Sequence, residues 1–270
     1  MNHEDDFNYA VTALRFVSVR PHYFPDPNYI TEKQYDVQFT PALRSKCIHF
    51  IMEMSRCYVF PASTCIAAIS ILDRYLSIVP ICISQLQLLV VSSFFIAAKV
   101  DEFSSRFGCR LKDLCRLGGN HFTESDILSM EFHILSTLNY QVAVSLATPV
   151  EILVSAVSSY ASLEAEEFND CIVKPSLVAF DEVHDLALAI LECSLYHVQI
   201  LAWDPIAVAC GSLFVACRII EDPQLEQWFR DGVMVVLQRI GTPLVDVITV
   251  LEGHLYNIYS RFKECELRDL

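Results

Sequence analysis

Glycine is scarce in this sequence, with seven residues in 270. Scarce glycine and few stretches of strict polar–apolar alternation argue against an all-β fold and favour helices. The sequence also has fewer basic than acidic residues: its 19 lysines and arginines and 33 aspartates and glutamates give a net charge of −14. Such a chain repels phosphate backbones, so we expect no direct binding to nucleic acid or to an anionic membrane.

The chemistry of an enzyme or a metal site is missing from the sequence as well. None of the eleven cysteines forms a C-x-x-C pair, and the eight histidines show no zinc-ligand spacing. There is no nucleophile motif and no glycine-rich phosphate loop. We therefore expect no active site, no cofactor and no metal ion.

The cysteines indicate a reducing compartment. Their number is odd, most lie among apolar residues, and the sequence shows no signal-peptide pattern. We expect reduced cysteines that pack as small hydrophobes, in a protein of the nucleus and cytoplasm. The longest nearly apolar stretch, residues 86–98, contains Gln87, Ser92 and Ser93 and is too short and too interrupted to span a bilayer.

Hydrophobic residues make up 53% of the chain and repeat within it. Residues 68–100 align without a gap on residues 187–219, at an offset of 119. Nine pairs are identical: Ala68/Ala187, Ile71/Ile190, Leu72/Leu191, Leu76/Leu195, Val79/Val198, Ile81/Ile200, Ser93/Ser212, Phe95/Phe214 and Ala97/Ala216. "MEFHIL" (130–135) also resembles "LEGHLY" (251–256). The unit is too long for a solenoid repeat, so we infer one domain present twice.

Helix starts are legible where a side-chain acceptor precedes proline. These pairs are Thr40-Pro41, Thr148-Pro149, Asp204-Pro205, Asp222-Pro223 and Thr242-Pro243. Residues 84–100 and 204–220 are apolar on nearly every side, which is typical of surrounded helices. The sequence thus predicts an all-α protein with two tandem bundles of about five helices around a central buried helix, preceded by an N-terminal helix.

The end of the first central helix carries charge, in "FIAAKVDE". From the pattern alone Lys99 has three interpretations: it extends to water, it closes an ion pair within the fold, or an acid holds it at a rim to meet another protein. The pattern does not choose among these.

A family resemblance bears on that choice. "ALRSKCIHFIMEM", "LDRYLSI", "SQLQLL", "FIAAKVDE" and "DILSMEFHILSTLNYQV" follow one another at the spacings of the cyclin box, after an upstream "NYITEKQ". The sequence resembles cell-cycle cyclins of the A, B, D and E types. The resemblance implies an N-terminal helix and extended arm (1–40), a kinase-binding cyclin box (41–143), a C-terminal cyclin fold (144–264) and a tail (265–270).

What the resemblance implies about function is a regulatory subunit, not an enzyme, that binds and activates a cyclin-dependent serine/threonine kinase. The family's kinase-binding lysine falls on Lys99 and its glutamate on Glu131. The remaining positions that match the family's kinase-binding face are Val100, Asp101, Glu102, Phe103, Leu135, Tyr140 and Val142.

The family's substrate-docking patch is degenerate in this sequence. Its matching positions are Leu43, Arg44, Lys46, Cys47, Phe50, Glu53 and Gln87. Lys46 replaces an apolar residue, so we expect altered or absent docking of Arg-x-Leu peptides from substrates or inhibitors. Asp73 and Arg74, adjacent in "LDRYLS", are predicted to form a structural ion pair.

Two other classes of protein fit parts of the pattern. A transcriptional cyclin, which activates a kinase acting on RNA polymerase, would share the box. A general transcription factor of the B type shares the doubled fold, but its DNA-binding face should be basic, and this chain is acidic.

Overall fold

The computed structural model describes residues 3–18, 23–35, 38–100, 110–167 and 175–268. Within these ranges the chain is helical and contains no β-strand, so the all-α prediction is confirmed. The helices are α1 (His3–Ser18), α2 (Tyr29–Glu32), α3 (Pro41–Tyr58), α4 (Ala62–Leu76), α5 (Ile83–Val100), α6 (Leu111–Leu117), α7 (Glu124–Thr137), α8 (Thr148–Glu167), α9 (Leu177–Ser194), α10 (Pro205–Ile220), α11 (Pro223–Ile240) and α12 (Val245–Arg268), with a 3-10 turn at Val198–Ala202.

Most of the predicted helix starts are confirmed by their caps. The Thr40 hydroxyl accepts a hydrogen bond from the Leu43 amide, and the Asp204 and Asp222 carboxylates each accept two from the first turns of α10 and α11. The start predicted at Thr242-Pro243 is wrong by two residues, because α12 begins at Val245. The arm expected to be extended also contains the single turn α2, which buries Tyr29.

The chain divides into two compact units. One, called here the N-terminal unit, comprises His22–Leu146 and Leu195–Ala202; the other, the C-terminal unit, comprises Met1–Pro21, Ala147–Ser194 and Trp203–Leu270. Helix α1 therefore belongs to the C-terminal unit, where it packs against α8.

Each unit is built around one apolar helix, as the sequence predicts. In the N-terminal unit α5 packs against α3, α4 and α7, and its residues from Leu89 to Ala98 are buried. In the C-terminal unit α10 packs against α8, α9, α11 and α12. Gly211 permits the close α10–α12 crossing, since a Cβ there would lie 3.1 Å from Leu255 Cδ1.

Helix α5 is long and apolar enough to cross a membrane by length and composition, the one such helix found among the described residues. In the fold 61% of that helix is buried. The packing of α3, α4 and α7 around it accounts for the apolar surface, because a helix that is hydrophobic all round must be surrounded.

Candidate functional site

An ion pair lies where the central helix of the N-terminal unit ends. Lys99, in the last turn of α5, donates to Glu131 of α7 with Nζ and Oε1 2.5 Å apart. The Lys99 ammonium also lies 5.0 Å from the centre of the Phe95 ring. The Lys99 side chain is 51% exposed and the Glu131 side chain is 10% exposed. The carboxylate is therefore largely enclosed by the protein, while the ammonium group reaches water.

Large apolar side chains are exposed near this pair. Leu128 and Phe132 lie on α7 four residues apart and are 46% and 66% exposed, and Leu135 continues the same helical face. Val100 follows Lys99 directly, and Tyr140, just after α7, is 63% exposed. We call Leu128, Phe132, Leu135 and the Lys99–Glu131 pair the α7 face.

The structure brings together only part of the predicted kinase-binding set. Lys99 and Glu131 are paired, Val100 and Tyr140 are exposed, and Leu135 is half-buried. Val142 is 9% exposed, which leaves its side chain little surface for a partner. Asp101, Glu102 and Phe103 lie outside the described residues.

Leu128 and Phe132 were missed by the sequence analysis. The spacing of the two residues could have identified them. They follow the buried Ile127 and Glu131 by one residue each and repeat with helical spacing. Apolar residues at these positions extend the hydrophobic surface of α7 beyond the residues that are buried within the N-terminal unit.

The predicted Asp73–Arg74 ion pair is wrong. Asp73 instead pairs with Arg44 of α3, whose Nε and NH2 groups donate to its two carboxylate oxygens at 2.9 and 2.6 Å. The Tyr29 hydroxyl donates to the same carboxylate at 2.7 Å, and Arg44 NH1 donates to the Leu195 carbonyl at 2.6 Å. Neighbouring residues on a helix point in different directions, so Asp73 and Arg74 face different surroundings.

Burial sets the protonation of this network. Burial raises the pKa of the Tyr29 phenol well above its usual range, and the Asp73 charge raises it further. For Arg44, burial lowers the pKa but the Asp73 carboxylate outweighs it, so the pKa of Arg44 is raised. The network is therefore a fixed Tyr–Asp–Arg triad with Tyr29 neutral and Arg44 charged.

The structure divides the predicted substrate-docking patch. Arg44 is fully buried in the triad and Cys47 is 6% exposed, so neither side chain can contact a docked peptide as the sequence analysis expects. The members that reach the surface, fully or in part, are Leu43, Lys46, Phe50, Glu53 and Gln87. Glu53 pairs with Arg56 at 2.8 Å. The surviving surface is a short strip along α3 with Lys46 in it.

No group of three or more histidine, cysteine or acidic side chains is placed to hold a metal ion in the part of the chain that the structure describes. What the α7 face offers is a charged hydrogen-bonding pair beside exposed apolar side chains. Such a surface is suited to binding another protein.

Comparison with known proteins agrees with this fold and its order of motifs. Residues 13–143 match the family model "Cyclin, N-terminal domain". The chain is 27% identical over 215 residues to cyclin-A3-2 of Arabidopsis thaliana, covering 80% of this chain and 52% of that protein. It is 26% identical over 225 residues to the G2/mitotic-specific cyclin-B of Marthasterias glacialis, covering 83% of this chain and 48% of that one.

The solved structure of a viral cyclin from herpesvirus saimiri shares the fold. It superposes with a TM-score of 0.63 at 14% sequence identity, over 94% of this chain and 96% of the viral chain. The chain spans about half the length of the curated relatives cited above. Residues 13–143 of this protein therefore form a cyclin box of the cell-cycle type.

Proposed function

We propose that this protein is the regulatory subunit of a cyclin-dependent serine/threonine protein kinase, which it binds and activates to control cell-cycle progression. The observation that carries the proposal is the Lys99–Glu131 pair on the α7 face, where the family resemblance locates the kinase-binding lysine and glutamate. The names of the related proteins, A-type cyclins and a G2/mitotic-specific B-type cyclin, support the cell-cycle role.

The geometry of the pair suits a protein interface. Glu131 is nearly buried and already bound to Lys99, so a partner that covers the face does not leave either charge alone. The ammonium carries further N–H donors that can reach main-chain carbonyls of a partner, and charge-assisted hydrogen bonds are roughly twice as strong as neutral ones. Phe132 and Leu128 supply apolar area to cover.

Activation follows from binding one state of the kinase. In the family, a free kinase keeps its regulatory helix rotated outward, which separates the lysine and glutamate that must pair for catalysis. A ligand that binds only the inward state shifts the equilibrium by its differential affinity. A shift from 1:99 to 99:1 needs about 5.5 kcal/mol of preference, and an apolar face with a charged pair on a rigid bundle is the kind of surface to supply it.

The test is a phosphate-transfer assay with a panel of purified cyclin-dependent kinases. We expect no transfer by this protein alone and a large gain in activity with at least one kinase. Lys99→Ala should reduce the gain, whereas Arg218→Ala, the equivalent substitution at the end of the other central helix, should leave it unchanged. Transfer by the protein alone, or no gain with any kinase in the panel, contradicts the proposal.

A location in the nucleus and cytoplasm is part of this proposal. It is supported by Cys47, Cys115, Cys210 and Cys217, which are free cysteines buried in the fold. A burial-raised pKa, about 12 for both Cys47 and Cys217, keeps such thiols protonated and unreactive.

A further inference from the structure

Arg74 is a buried cation with an incomplete set of partners. The residue is 3% exposed, and within the described part of the chain its one hydrogen bond runs from NH1 to the Gln141 carbonyl at 2.6 Å. Its Nε–H group is buried with no acceptor, and the described residues offer it no carboxylate partner. A guanidinium has five N–H donors, and a buried one is normally paired.

Arg44, on the neighbouring helix α3, is a buried arginine that has hydrogen-bond partners for all of its nitrogens. All three of its nitrogens donate, two to Asp73 and one to a carbonyl. The pKa of Arg44 is raised by that carboxylate, whereas burial lowers the pKa of Arg74 to about 10, with Tyr23 as a smaller opposing influence. The same unit therefore holds one satisfied and one unsatisfied buried arginine.

The side chain of Arg74 forms part of the wall of a pocket of about 270 Å³ within the N-terminal unit. Asn139 and Gln141 line the same pocket and carry carboxamide donors, and Phe24 and Ile78 supply apolar wall. The hydroxyls of Ser77 and Thr137, also in the wall, already donate to main-chain carbonyls at 2.8 and 2.7 Å. The free donors of the pocket thus centre on Arg74.

We propose that this pocket binds a carboxylate, presented by an acidic side chain of a protein partner. A carboxylate takes a guanidinium in a planar, two-point contact and satisfies the unpaired Nε side of Arg74. At about 270 Å³ the pocket is below the usual size of a small-molecule site but has room for an acidic side chain.

Charge distinguishes the carboxylate from a phosphate. Asp26 also lines the pocket and is held there by the Asn28 amide, which donates to its Oδ1 at 2.8 Å. Because the wall carries Asp26 as well as Arg74, a phosphate group of about −1.5 to −2 charge would bring more excess negative charge into the pocket than a carboxylate of single charge. The carboxylate is therefore the less repelled of the two anions.

The location of the pocket suits a protein ligand. Asn139 and Gln141 flank Tyr140, the exposed aromatic residue beside the α7 face. A protein that covers Tyr140 would therefore also come close to these two pocket residues. Carboxylate binding in the pocket can be tested with a small probe, so the test requires neither a kinase nor another protein partner.

Arginine Nε–H resonances of the full chain, labelled with nitrogen-15, give a direct test because a carboxylate that binds the Arg74 guanidinium changes the chemical shift of that Nε–H group. The probe is the α-amide of N-acetylglutamate, with the N-acetylglutamine analogue as its neutral control. We expect a saturable shift of the Arg74 resonance with the glutamate compound only. No saturable shift, an equal shift with the glutamine analogue, or tighter binding of inorganic phosphate overturns the proposal.

Variants that leave Arg74 in place sharpen the test. Asn139→Asp puts a second negative charge on the wall and should weaken binding by more than about tenfold, while Asp26→Asn should strengthen it. Asn120→Asp is the matched control, because Asn120 and Asn139 both have positive φ, 56° and 51°, which aspartate also tolerates. If Asn139→Asp binds the probe as Asn120→Asp does, the pocket is not the site.

Discussion

Each unit has a cation and a phenylalanine near the end of its central helix and a glutamate on a neighbouring helix, and the two units arrange them differently. In the N-terminal unit Lys99 lies over Phe95 and pairs with Glu131. In the C-terminal unit the repeat-equivalent residues are Arg218, Phe214 and Glu252. There Arg218 lies over Tyr256, 4.7 Å from the ring centre, and does not take the place of Lys99.

A third cation takes that place in the C-terminal unit. Arg230, from α11, lies 4.5 Å from the centre of the Phe214 ring and donates to Glu252 at 3.0 Å. It is also held by Glu226 at 2.7 Å, one turn earlier on its own helix. The acid of the C-terminal unit is therefore neutralised from within the unit.

The cation that meets the glutamate comes from a different element in each unit. Arg230 belongs to α11, which has 18 residues, whereas the corresponding helix α6 has seven and, among the described residues, supplies no cation to Glu131. Arg230 binds two acids and its side chain is 36% exposed, whereas Lys99 pairs with Glu131 alone in the described part of the chain and is 51% exposed. The N-terminal unit thus has the more exposed cation, with fewer acidic partners.

The largest expected effect concerns the buried triad of the N-terminal unit. In the repeat, Glu192 and Cys193 stand at the equivalents of Asp73 and Arg74. Asp73→Asn leaves the Arg44 charge buried and unpaired, so the free energy of unfolding should fall by about 3–5 kcal/mol. Urea denaturation measures it. Glu192→Gln, the same change at a half-buried site, should cost about 1 kcal/mol or less. Equal losses for the two variants would show that the triad contributes no more to the free energy of unfolding than a half-buried carboxylate does.

The next effect concerns the exposed aromatic residue of α7. Phe132→Asp introduces a charge where the proposal needs apolar contact, and kinase affinity should fall by roughly tenfold to over a hundredfold, since burying a phenylalanine is worth about 1.5–3 kcal/mol. Calorimetric titration measures it. Val250→Asp on α12 is the control, because Val250 is 61% exposed on the last helix of the other unit. An affinity loss as large for Val250→Asp would place the interface elsewhere.

A smaller effect is expected at the α3 strip. The unmodified chain should bind Arg-x-Leu peptides weakly or not at all, and Lys46→Ile should raise their affinity by about tenfold through a gain of roughly 1.4 kcal/mol of apolar contact. Lys46→Gln is the control that removes the charge without adding apolar surface. Cys47→Leu is a poor choice, because enlarging a buried residue strains the core. Micromolar binding that Lys46→Ile leaves unchanged would show that Lys46 does not matter.

The smallest effect compares equivalent serines of the two central helices. The Ser93 hydroxyl is buried without a hydrogen-bond partner, whereas Ser212 donates to the Val208 carbonyl at 2.8 Å. Ser93→Ala should therefore raise the free energy of unfolding relative to Ser212→Ala, by about 1 kcal/mol. Thermal or urea unfolding of both variants measures the difference. The reverse order would mean that the Ser93 hydroxyl is satisfied in solution.

Much of this fold could be read from local sequence. Helix starts at Thr40, Asp204 and Asp222 depend on a cap and a proline next to each other, and both central helices are apolar on nearly every side. The duplication follows from an ungapped offset. Such signals lie within one or two helical turns, so no knowledge of tertiary contacts is needed to use them.

The errors in side-chain pairing and exposure involve contacts between distant segments. Asp73 pairs with Arg44, 29 residues away, although Arg74 is adjacent. Glu252 likewise pairs with Arg230 and not with Arg218, the repeat-equivalent of Lys99, so the repeat alone would not have identified its partner. The exposure of Phe132 depends on what packs beside α7, which its own sequence does not reveal. Side-chain pairing is decided by packing geometry, and several cations compete for each acid.

The most direct test of the central claim is a pair of double-mutant cycles on kinase binding, one for Lys99 and Glu131 and one for Arg230 and Glu252. For Lys99→Ala, Glu131→Ala and the double variant, we predict weaker binding in each single variant and a coupling of about 0.5–3 kcal/mol. For Arg230→Ala and Glu252→Ala we predict unchanged binding and no coupling, with the effect confined to stability. Normal binding by both Lys99→Ala and Glu131→Ala, with loss of binding in the Arg230 and Glu252 variants, would contradict the account.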